Sequence, residues 1–476
     1  MRYPDTRRGD VVDQYGTTRV PDPYRWLEDL DSPEVAAWVA AQNAVTSAYL
    51  DTLSLRDRLK ARLTELWDYP RTGLPIVENG RLFYSRNSGL QRQAPVYVRT
   101  GIYDEPAIAI DPNALSPDGS VSLSHSMPSR DAKLLAYAIA EGGADWETVR
   151  VRSVATGVDL ADSVSWVRFS DLSWTHDSKG FFYSRYPEPP RNKMLEAALS
   201  GHAIYYHRIG TTQDQDVLVY QRTEHPGWIV NGKVGDDGRY LFIRTYRGAD
   251  NNNQLHYIDM ASAATPDVAG RVRPIIETLD AEYTPIGNYQ SRLYVRTDKD
   301  APNRRIIAID LENPEPEAWK IVVPEQPHVI EDAVLGGGRI IIHCLVDVQS
   351  RLTLFTRDGR SDGEIALPGV GAVAALYARR DLGEAWFVFS SPLSPATVYR
   401  YDIDARSHIA FEPPSSPIDA SAFETLALFA ISKDGTRVPF FLTRKKDLPR
   451  DGRNPAMLYG YGGFSISVLP SYRSDV

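Results

Sequence analysis

A glycine-rich segment near the end of the chain contains the strongest candidates for catalysis. Tyr461 and Phe464 belong to a Gly-Tyr-Gly-Gly-Phe run at residues 460–464, which follows an apolar run at residues 455–459. We predict that this apolar run is a short buried strand. Glycines directly after a strand let the backbone bend sharply and bring N–H groups or a side chain toward a ligand. Such donors can stabilise the oxyanion of an acyl-transfer reaction, although a structural turn could have the same sequence.

Two hydrolase signatures are incomplete in this chain. The segment around Ser465 lacks the last glycine of a Gly-x-Ser-x-Gly elbow, which lets a helix pack closely behind the serine. His202 and His207 are five residues apart, lack the glutamate of a zinc-peptidase helix, and flank an apparent strand. Neither segment therefore predicts its usual chemistry.

Two ligand-binding loops are also incomplete. Residues 298–303 begin like a calcium loop, but Pro302 stands at the third ligand position and Asn303 where glycine is required. Residues 460–465 have Ser465 where a dinucleotide-binding loop has its third glycine. We therefore predict that the chain binds no metal and no cofactor.

The composition is that of an ordinary globular protein. The chain has 476 residues, of which 42% are apolar and 24% charged. This length predicts roughly two to four domains. Its 53 basic and 62 acidic residues give a net charge of −9, which disfavours nucleic acid as a partner. The single cysteine, Cys344, excludes an internal disulfide and a cysteine-based zinc site. The chain starts without a signal-peptide core and has no apolar run of about eighteen residues, so we predict a cytoplasmic protein.

Two helices are predicted before residue 71. Ser32, Pro33 and Glu34 supply an N-cap residue, a first-turn proline and an early acid. Two stripes of apolar residues then recur at helical spacing, and we interpret both as packing faces. The stripes consist of Val35, Trp38, Val39, Val45 and Tyr49, followed by Leu55, Leu59, Leu63, Leu66 and Trp67.

A unit of turn, short aromatic-rich strand, loop and second strand recurs between residues 72 and 420. Seven copies with a period of about fifty residues predict a seven-bladed β-propeller. An array of β-sandwiches is the alternative, but it does not predict a uniform period. The copies begin near residues 79, 133, 177, 236, 291, 338 and 384.

The repeated pattern ends near residue 420, and a different pattern of residues follows. Alternating residues on both sides of the Lys-Asp-Gly-Thr run at 433–436 predict a β-hairpin. We therefore divide the chain into a helical N-terminal arm at residues 1–71, a propeller at 72–420 and further strands at 421–476.

Several motifs together resemble the prolyl oligopeptidase family of serine peptidases over the whole chain. They are Val-Pro-Asp-Pro-Tyr-Arg-Trp-Leu-Glu at residues 20–28, Ala-Asp-Trp-Glu-Thr at 144–148, Trp-Thr-His-Asp at 174–177 and Ser-Lys-Asp-Gly-Thr at 432–436. The resemblance implies a monomeric endopeptidase that cleaves short peptides after proline. It also implies that both chain ends build an α/β-hydrolase domain, whose active site the propeller covers. The implied fold class is mainly β, a seven-bladed propeller with an incomplete hydrolase domain.

The resemblance implies functional roles for five residues of this chain. Tyr461 matches the family's oxyanion donor, and Phe464 matches an aromatic wall of the proline pocket. Phe169 matches a propeller residue that reaches the substrate. Ile229 and Ala249 fall where the family places two further apolar contacts, although both residue types differ from those of well-known members.

The family's catalytic serine, aspartate and histidine all correspond to positions beyond residue 476. We therefore expect this chain to be truncated before the triad and inactive alone, because acyl transfer needs a nucleophile and its base. Two alternatives remain open. One is an oligopeptidase specific for basic residues, and the other is a non-catalytic propeller that binds peptides or a protein partner.

Overall fold

The computed structural model describes residues 2–189, 199–415, 418–463 and 466–474. The protein is mainly β, and its strands build a β-propeller. The chain divides into two compact units, residues 1–68 and 69–474. The three-part division at residues 71 and 420 stays a prediction. No helix in the described part of the chain is long and apolar enough to cross a membrane.

The first unit contains the two predicted helices, which we call α1 and α2. Helix α1 spans Pro33–Leu50. Its N-cap residue is Ser32, and Pro33 and Glu34 lie in its first turn, as predicted. The Ser32 side chain makes no capping hydrogen bond. Helix α2 spans Arg56–Trp67. A strand pair, Val12–Tyr15 with Thr18–Pro21, and a short 3₁₀ helix, Arg25–Glu28, precede them.

The apolar stripes of these helices are only partly packed. Val35 is buried, and Trp38 contacts Trp26 edge-to-face with 6.5 Å between the ring centres. The second stripe is largely exposed to solvent, because the exposed fractions of Leu59, Leu63 and Trp67 lie between 47% and 58%. The interpretation of the second stripe as a packing face therefore stays a prediction.

Among the described residues from 71 to 411, six antiparallel sheets of four or more strands follow one another, and we number them 1 to 6. Sheets 3 to 6 have four strands each, sheet 1 has five, and sheet 2 has eight. The first strands of sheets 4 and 5 contact each other, as do those of sheets 5 and 6, which places these strands nearest the ring centre. The strands of sheets 1 and 2 are Arg71–Thr72, Ile76–Glu78, Arg81–Asn87, Val96–Thr100 and Ala107–Ile110, then Val121–Pro128, Leu134–Glu141, Glu147–Ser153, Asp159–Val167, Ser173–Trp174, Gly180–Arg185, Ala203–Arg208 and Val217–Gln221.

The remaining four sheets share one up-and-down order of four strands. They consist of Trp228–Val234, Tyr240–Arg247, Asn253–Asp259 and Val272–Ile276 in sheet 3; Tyr283–Tyr289, Arg292–Thr297, Arg305–Asp310 and Lys320–Val323 in sheet 4; Ile330–Gly336, Arg339–Val346, Gln349–Thr356 and Ser361–Ile365 in sheet 5; and Ala372–Ala378, Glu384–Ser391, Ser394–Asp402 and Ser407–Phe411 in sheet 6.

The number of separate blades differs from the prediction. The sequence predicts seven blades, whereas the structure has five separate sheets of four or five strands and a sixth with eight strands. The eight-stranded sheet arises because Val167, at the end of one four-strand run, pairs with Arg185 in the next. As a strand pairing, this single pair of residues merges two repeats that the sequence period treats as separate.

Side chains close the ring between sheets 1 and 6. These two sheets share no strand pairing in the described part of the chain. Instead, Arg379 Nη1 donates to the Val77 carbonyl and to Glu78, both at 2.7 Å. Arg130 Nη1 from sheet 2 donates to the other Glu78 oxygen, also at 2.7 Å. The Glu78 carboxylate therefore connects the first sheet to both of its neighbours.

Apolar packing supports this closure. Trp386 and Phe411 of sheet 6 lie in one buried cluster with Val77, Leu82 and Tyr84 of sheet 1. The Phe411 ring meets both the Tyr84 and the Trp386 ring edge-on, with centres 5.1 and 5.3 Å apart. Since burial of a large side chain is worth about 1.5–3 kcal/mol, this cluster is a major part of the closure.

The last described segment is only partly regular. The predicted hairpin is confirmed, with strands Phe423–Ile431 and Arg437–Lys445 and Gly435 at a φ of +85° in the turn. The predicted strand at residues 455–459 is wrong, because this segment is irregular and Leu458 is 97% exposed. A strand needs a hydrogen-bonded neighbour, and no strand in the described part of the chain pairs with these residues.

A buried histidine cross-links sheet 2 internally. His207 Nδ1 lies 2.7 Å from Asp216 Oδ1, and its Nε2 lies 3.1 Å from Asp162 Oδ1. A carboxylate only accepts hydrogen bonds, so both ring nitrogens donate and the imidazole is protonated. Burial lowers the pKa of His207, but the hydrogen bonds to both aspartates more than offset this and leave the pKa raised.

Removal of the Glu78 carboxylate should destabilise the ring. Glu78→Ala leaves Arg130 and Arg379 without their shared partner, and breaking a buried ion pair on one side typically costs about 3 kcal/mol. Urea unfolding of the parent and the variant measures this loss. Glu364→Gln is the control, because the Glu364–Arg351 pair is 3.8 Å long and half exposed, which predicts a loss below about 1 kcal/mol. Similar losses in the two variants would contradict the assignment.

The His207 network should make stability depend on pH in one direction. A raised pKa means that the folded protein holds the proton more tightly than the unfolded chain does. The stabilisation is therefore complete below the ordinary pKa of 6.5 and declines as the pH rises through the pKa of the folded state. We expect the difference in unfolding free energy between the parent and His207→Gln to shrink between about pH 6 and pH 9.

His343 is the matched control for this pH dependence. Burial lowers the pKa of His343 to about 4, so its imidazole is already neutral throughout that pH range. The His343→Gln difference should not decline at alkaline pH. A flat His207→Gln difference in denaturant titrations would show that His207 is not held in the protonated form.

Candidate functional site

Three of the five candidate residues lie at one end of the ring, which we call the Phe169 rim. Phe169 precedes the strand Ser173–Trp174, and Ile229 lies at the start of Trp228–Val234. Ala249 follows the strand Tyr240–Arg247, whose end pairs with that start through Arg247 and Trp228. Because neighbouring strands are antiparallel, the start of a first strand and the end of a second strand share an edge. The fold therefore brings these three positions to one edge of adjoining repeats.

Phe169 projects from an irregular loop after sheet 2's fourth strand. Its side chain is 46% exposed, and its backbone has a φ of +52°. The Arg168 guanidinium lies 4.9 Å from the Phe169 ring centre and donates to the Asp145 carboxylate at 2.6 Å. A half-exposed aromatic ring braced by a cation can pack against an apolar ligand group.

A cavity of about 410 Å³ opens beside Phe169. Its lining combines the Phe169 ring with Asp145 and Glu147, which come from the Ala-Asp-Trp-Glu-Thr motif. Asp145 is paired with Arg168, and Glu147 lies 3.9 Å from His125 Nδ1. The Asp145 carboxylate therefore already has a charged partner inside the protein.

Ile229 and Ala249 differ in their exposure. Ile229 is 8% exposed and pairs with Tyr246 across the sheet. Ala249 is exposed at the tip of a turn that closes through a hydrogen bond of 3.0 Å from the Asp250 N–H to the Arg247 carbonyl. An ion pair of 2.8 Å between the same two residues also holds the turn. Ala249 is thus accessible to a ligand, whereas Ile229 presents only a small part of its surface.

No pattern in the sequence indicates that His202 belongs to this rim. His202 Nε2 lies 3.0 Å from the Arg168 carbonyl oxygen, and its Nδ1 accepts from the Val230 N–H, also at 3.0 Å. One buried imidazole thus bridges the residue before Phe169 and the residue after Ile229. Its two partners lie 34 and 28 residues away along the chain, and no local pattern encodes such contacts.

The structure does not bring Tyr461 to the Phe169 rim. Tyr461 lies in an irregular segment, is 51% exposed, and makes no hydrogen bond or ring contact with a residue that the structure describes. A Cβ atom on Gly463 would lie only 3.0 Å from the Tyr461 hydroxyl, so that glycine leaves room for it. Phe464 lies outside the described residues.

The opposite end of the ring has a larger and more polar cavity of about 510 Å³. Glu78, Arg130, His176, Asp236 and Arg379 line it, and we call this end the Glu78 rim. Arg130 Nη2 lies 2.6 Å from His176 Nε2. An arginine can only donate, so Nε2 accepts and His176 is neutral.

The electrostatics of the Glu78 rim favour a structural role. Burial and the charge of Arg130 lower the pKa of His176 to about 4, and burial raises the pKa of Asp236. The arginines there compensate the acids within the protein. No group of three or more His, Cys, Asp or Glu residues in the described ranges is arranged to hold a metal ion.

A comparison with protein families matches most of the chain. The family described as "Prolyl oligopeptidase, N-terminal beta-propeller domain" matches residues 4–411. Among curated relatives, the prolyl endopeptidase of Elizabethkingia meningoseptica is 32% identical over 99% of this chain. The dual function macrocyclase-peptidase POPB of Amanita bisporigera is also 32% identical over 99% of it. The chain spans 66% of the first relative and 68% of the second.

Solved structures agree with these relatives. A chain from a structural and mechanistic analysis of two prolyl endopeptidases has 34% identity and a TM-score of 0.76 over 99% of this chain and 67% of its own length. Prolyl oligopeptidase B from Galerina marginata, bound to a 35mer hydrolysis and macrocyclization substrate, has 30% identity and a TM-score of 0.85. That match covers 99% of this chain and 69% of the other.

Proposed function

Because the chain belongs to the prolyl oligopeptidase family, we propose that it provides the propeller and substrate-contacting residues of a serine endopeptidase that cleaves short peptides after proline. The observation that carries this proposal is the half-exposed Phe169 ring, held beside a cavity of about 410 Å³. An apolar ring with an adjacent cavity can take an aromatic or aliphatic peptide side chain near the scissile bond.

The rim supports proline over basic specificity. A pocket for lysine or arginine needs carboxylates that are free to pair with the substrate cation. Asp145 is already 2.6 Å from the Arg168 guanidinium, so a basic side chain would have to displace an internal partner. The basic-specific oligopeptidase is therefore the less favoured candidate. A non-catalytic, peptide-binding propeller would use the same rim.

Finer features of the enzyme also belong to this proposal. We count the eight-stranded sheet as two blades, because Val167–Arg185 is the one residue pair of strand register between its halves in the described residues, and this gives seven blades in all. Residues 1–71 and 421–476 are assigned to an α/β-hydrolase domain, and Phe464 to the proline pocket. Tyr461 is assigned to the oxyanion, which its 51% exposure supports. A monomeric state and a cytoplasmic location remain predictions.

Loss of the Phe169 ring should weaken peptide binding. We expect the 476-residue chain to bind a fluorescein-labelled proline peptide more tightly than the matched arginine peptide. Phe169→Ala should raise the Kd for the proline peptide about tenfold, which corresponds to about 1.4 kcal/mol and is typical of a lost aromatic contact. Fluorescence anisotropy measures both values.

Tyr103→Ala is the control for this binding experiment. Tyr103 is 88% exposed and lines neither the cavity beside Phe169 nor the one at the Glu78 rim. Its substitution should leave the Kd unchanged. A clear preference for the arginine peptide, or an equal effect of Phe169→Ala and Tyr103→Ala, would count against the proposed specificity.

Loss of the Tyr461 hydroxyl should slow catalysis. In a version of the protein that carries the family's serine, aspartate and histidine, Tyr461→Phe should lower kcat about 10²–10³-fold, because one oxyanion donor is lost. The melting temperature should not change. Tyr459→Phe is the matched control, since Tyr459 is similarly exposed and its ring packs 4.7 Å from the Arg473 guanidinium. Activity within about twofold of the parent would refute the role of Tyr461.

A further inference from the structure

A single buried side chain connects the two loops that carry Phe169 and Ile229. His202 lies at the start of strand Ala203–Arg208 and is 2% exposed. It contacts the Arg168 carbonyl on one side and the Val230 N–H on the other, both at 3.0 Å. Each of these partners is the immediate chain neighbour of a candidate substrate contact.

The two hydrogen bonds require one form of the imidazole. The Val230 N–H is a donor, so Nδ1 must accept and carries no proton. The Arg168 carbonyl is an acceptor, so Nε2 must donate its proton. The pKa of His202 is lowered to about 4, mainly by burial, and the ring is therefore neutral at neutral pH. A neutral imidazole with its proton on Nε2 satisfies both loops at once.

The Phe169 loop needs such support because its backbone is unusual. Trp166 and Phe169, on either side of Arg168, have φ values of +63° and +52°. Bulky residues rarely adopt this left-handed conformation, which persists only where the surroundings enforce it. The Tyr186 ring lies 4.4 Å from the His202 ring, and the Tyr186 N–H donates to the Trp166 carbonyl at 3.1 Å. Imidazole and tyrosine together thus hold both ends of the strained turn.

We propose that His202 is a positioning residue that fixes the spacing of Phe169 and Ile229. It touches neither substrate nor reacting atoms in this assignment, and it acts through the backbone on either side. Its consequence for peptide binding rests on the proposed function. Its structural consequence, a fixed distance between the two loops, does not.

Amide hydrogen exchange on the 476-residue chain tests the positioning directly. His202→Ala should speed the exchange of the Val230 amide and of residues 165–170 by about tenfold or more, because their shared anchor is lost. His343→Ala is the matched control, since His343 is 7% exposed and hydrogen-bonded to Ser350 in sheet 5. It should leave both segments unchanged. Equal effects of the two substitutions on these segments would overturn the proposal.

Two conservative variants separate the hydrogen bonds and avoid gross unfolding. The Asn oxygen in His202→Asn can take the place of Nδ1 and accept from Val230, so only residues 165–170 should exchange faster. The Gln amide in His202→Gln can take the place of Nε2 and donate to Arg168, so only Val230 should exchange faster. A merely structural histidine would not produce this split. The same exchange pattern in both variants would refute the bridge.

A double-mutant cycle with Phe169→Ala tests the link to binding. His202→Ala should weaken binding of the labelled proline peptide about five- to tenfold in the parent, but less than about twofold once Phe169 is removed. Independent, multiplicative effects would show that His202 does not act through Phe169. If the parent chain binds no proline peptide, the proposed function fails, whereas the exchange experiments still decide whether His202 positions the rim.

Discussion

The structure depends on the closure of a ring whose first and last sheets share no strand pairing among the described residues. A propeller needs every first strand to contact the next around the centre, so an open joint would expose the cores on both of its sides. Glu78 holds this joint by accepting from Arg130 and from Arg379 at 2.7 Å. Tyr84, Trp386 and Phe411 pack behind it. The two rims exist as defined surfaces only because this closure fixes the order and spacing of the sheets.

Acids pair with arginines at both rims, but the two rims present different surfaces. At the Glu78 rim, acids and arginines neutralise one another, and His176 is kept neutral by Arg130 and by burial. That end stabilises the ring. At the Phe169 rim, Asp145 and Arg168 also pair, but they leave an aromatic ring 46% exposed beside a cavity. An exposed, braced aromatic group has no use in closing the ring, and this is why the Phe169 rim is the better candidate for peptide contact.

Sequence patterns predicted most elements but not all of their connections. The helix start at Ser32 and Pro33 and the hairpin around Gly435 follow from local chemistry, and both are confirmed. The fifty-residue period indicated the propeller, yet it could not show that Val167 pairs with Arg185 and merges two repeats. The strand at residues 455–459 was predicted from its apolar run and is wrong, since a strand also needs a partner. The roles of Tyr461 and Phe464 came from the family motif and remain proposals.

The sequence by itself determined the class of fold, the repeat, the helices and, through its motifs, the family. These depend on spacing and on residues close together in the chain. Only the tertiary structure decided which residues meet, because His202 lies 34 residues from Arg168 and 28 from Val230. It likewise decided that Ile229 is covered and Ala249 is exposed. Hydrogen bonds between distant segments depend on the packing of whole sheets, and no local pattern of residue types specifies that packing.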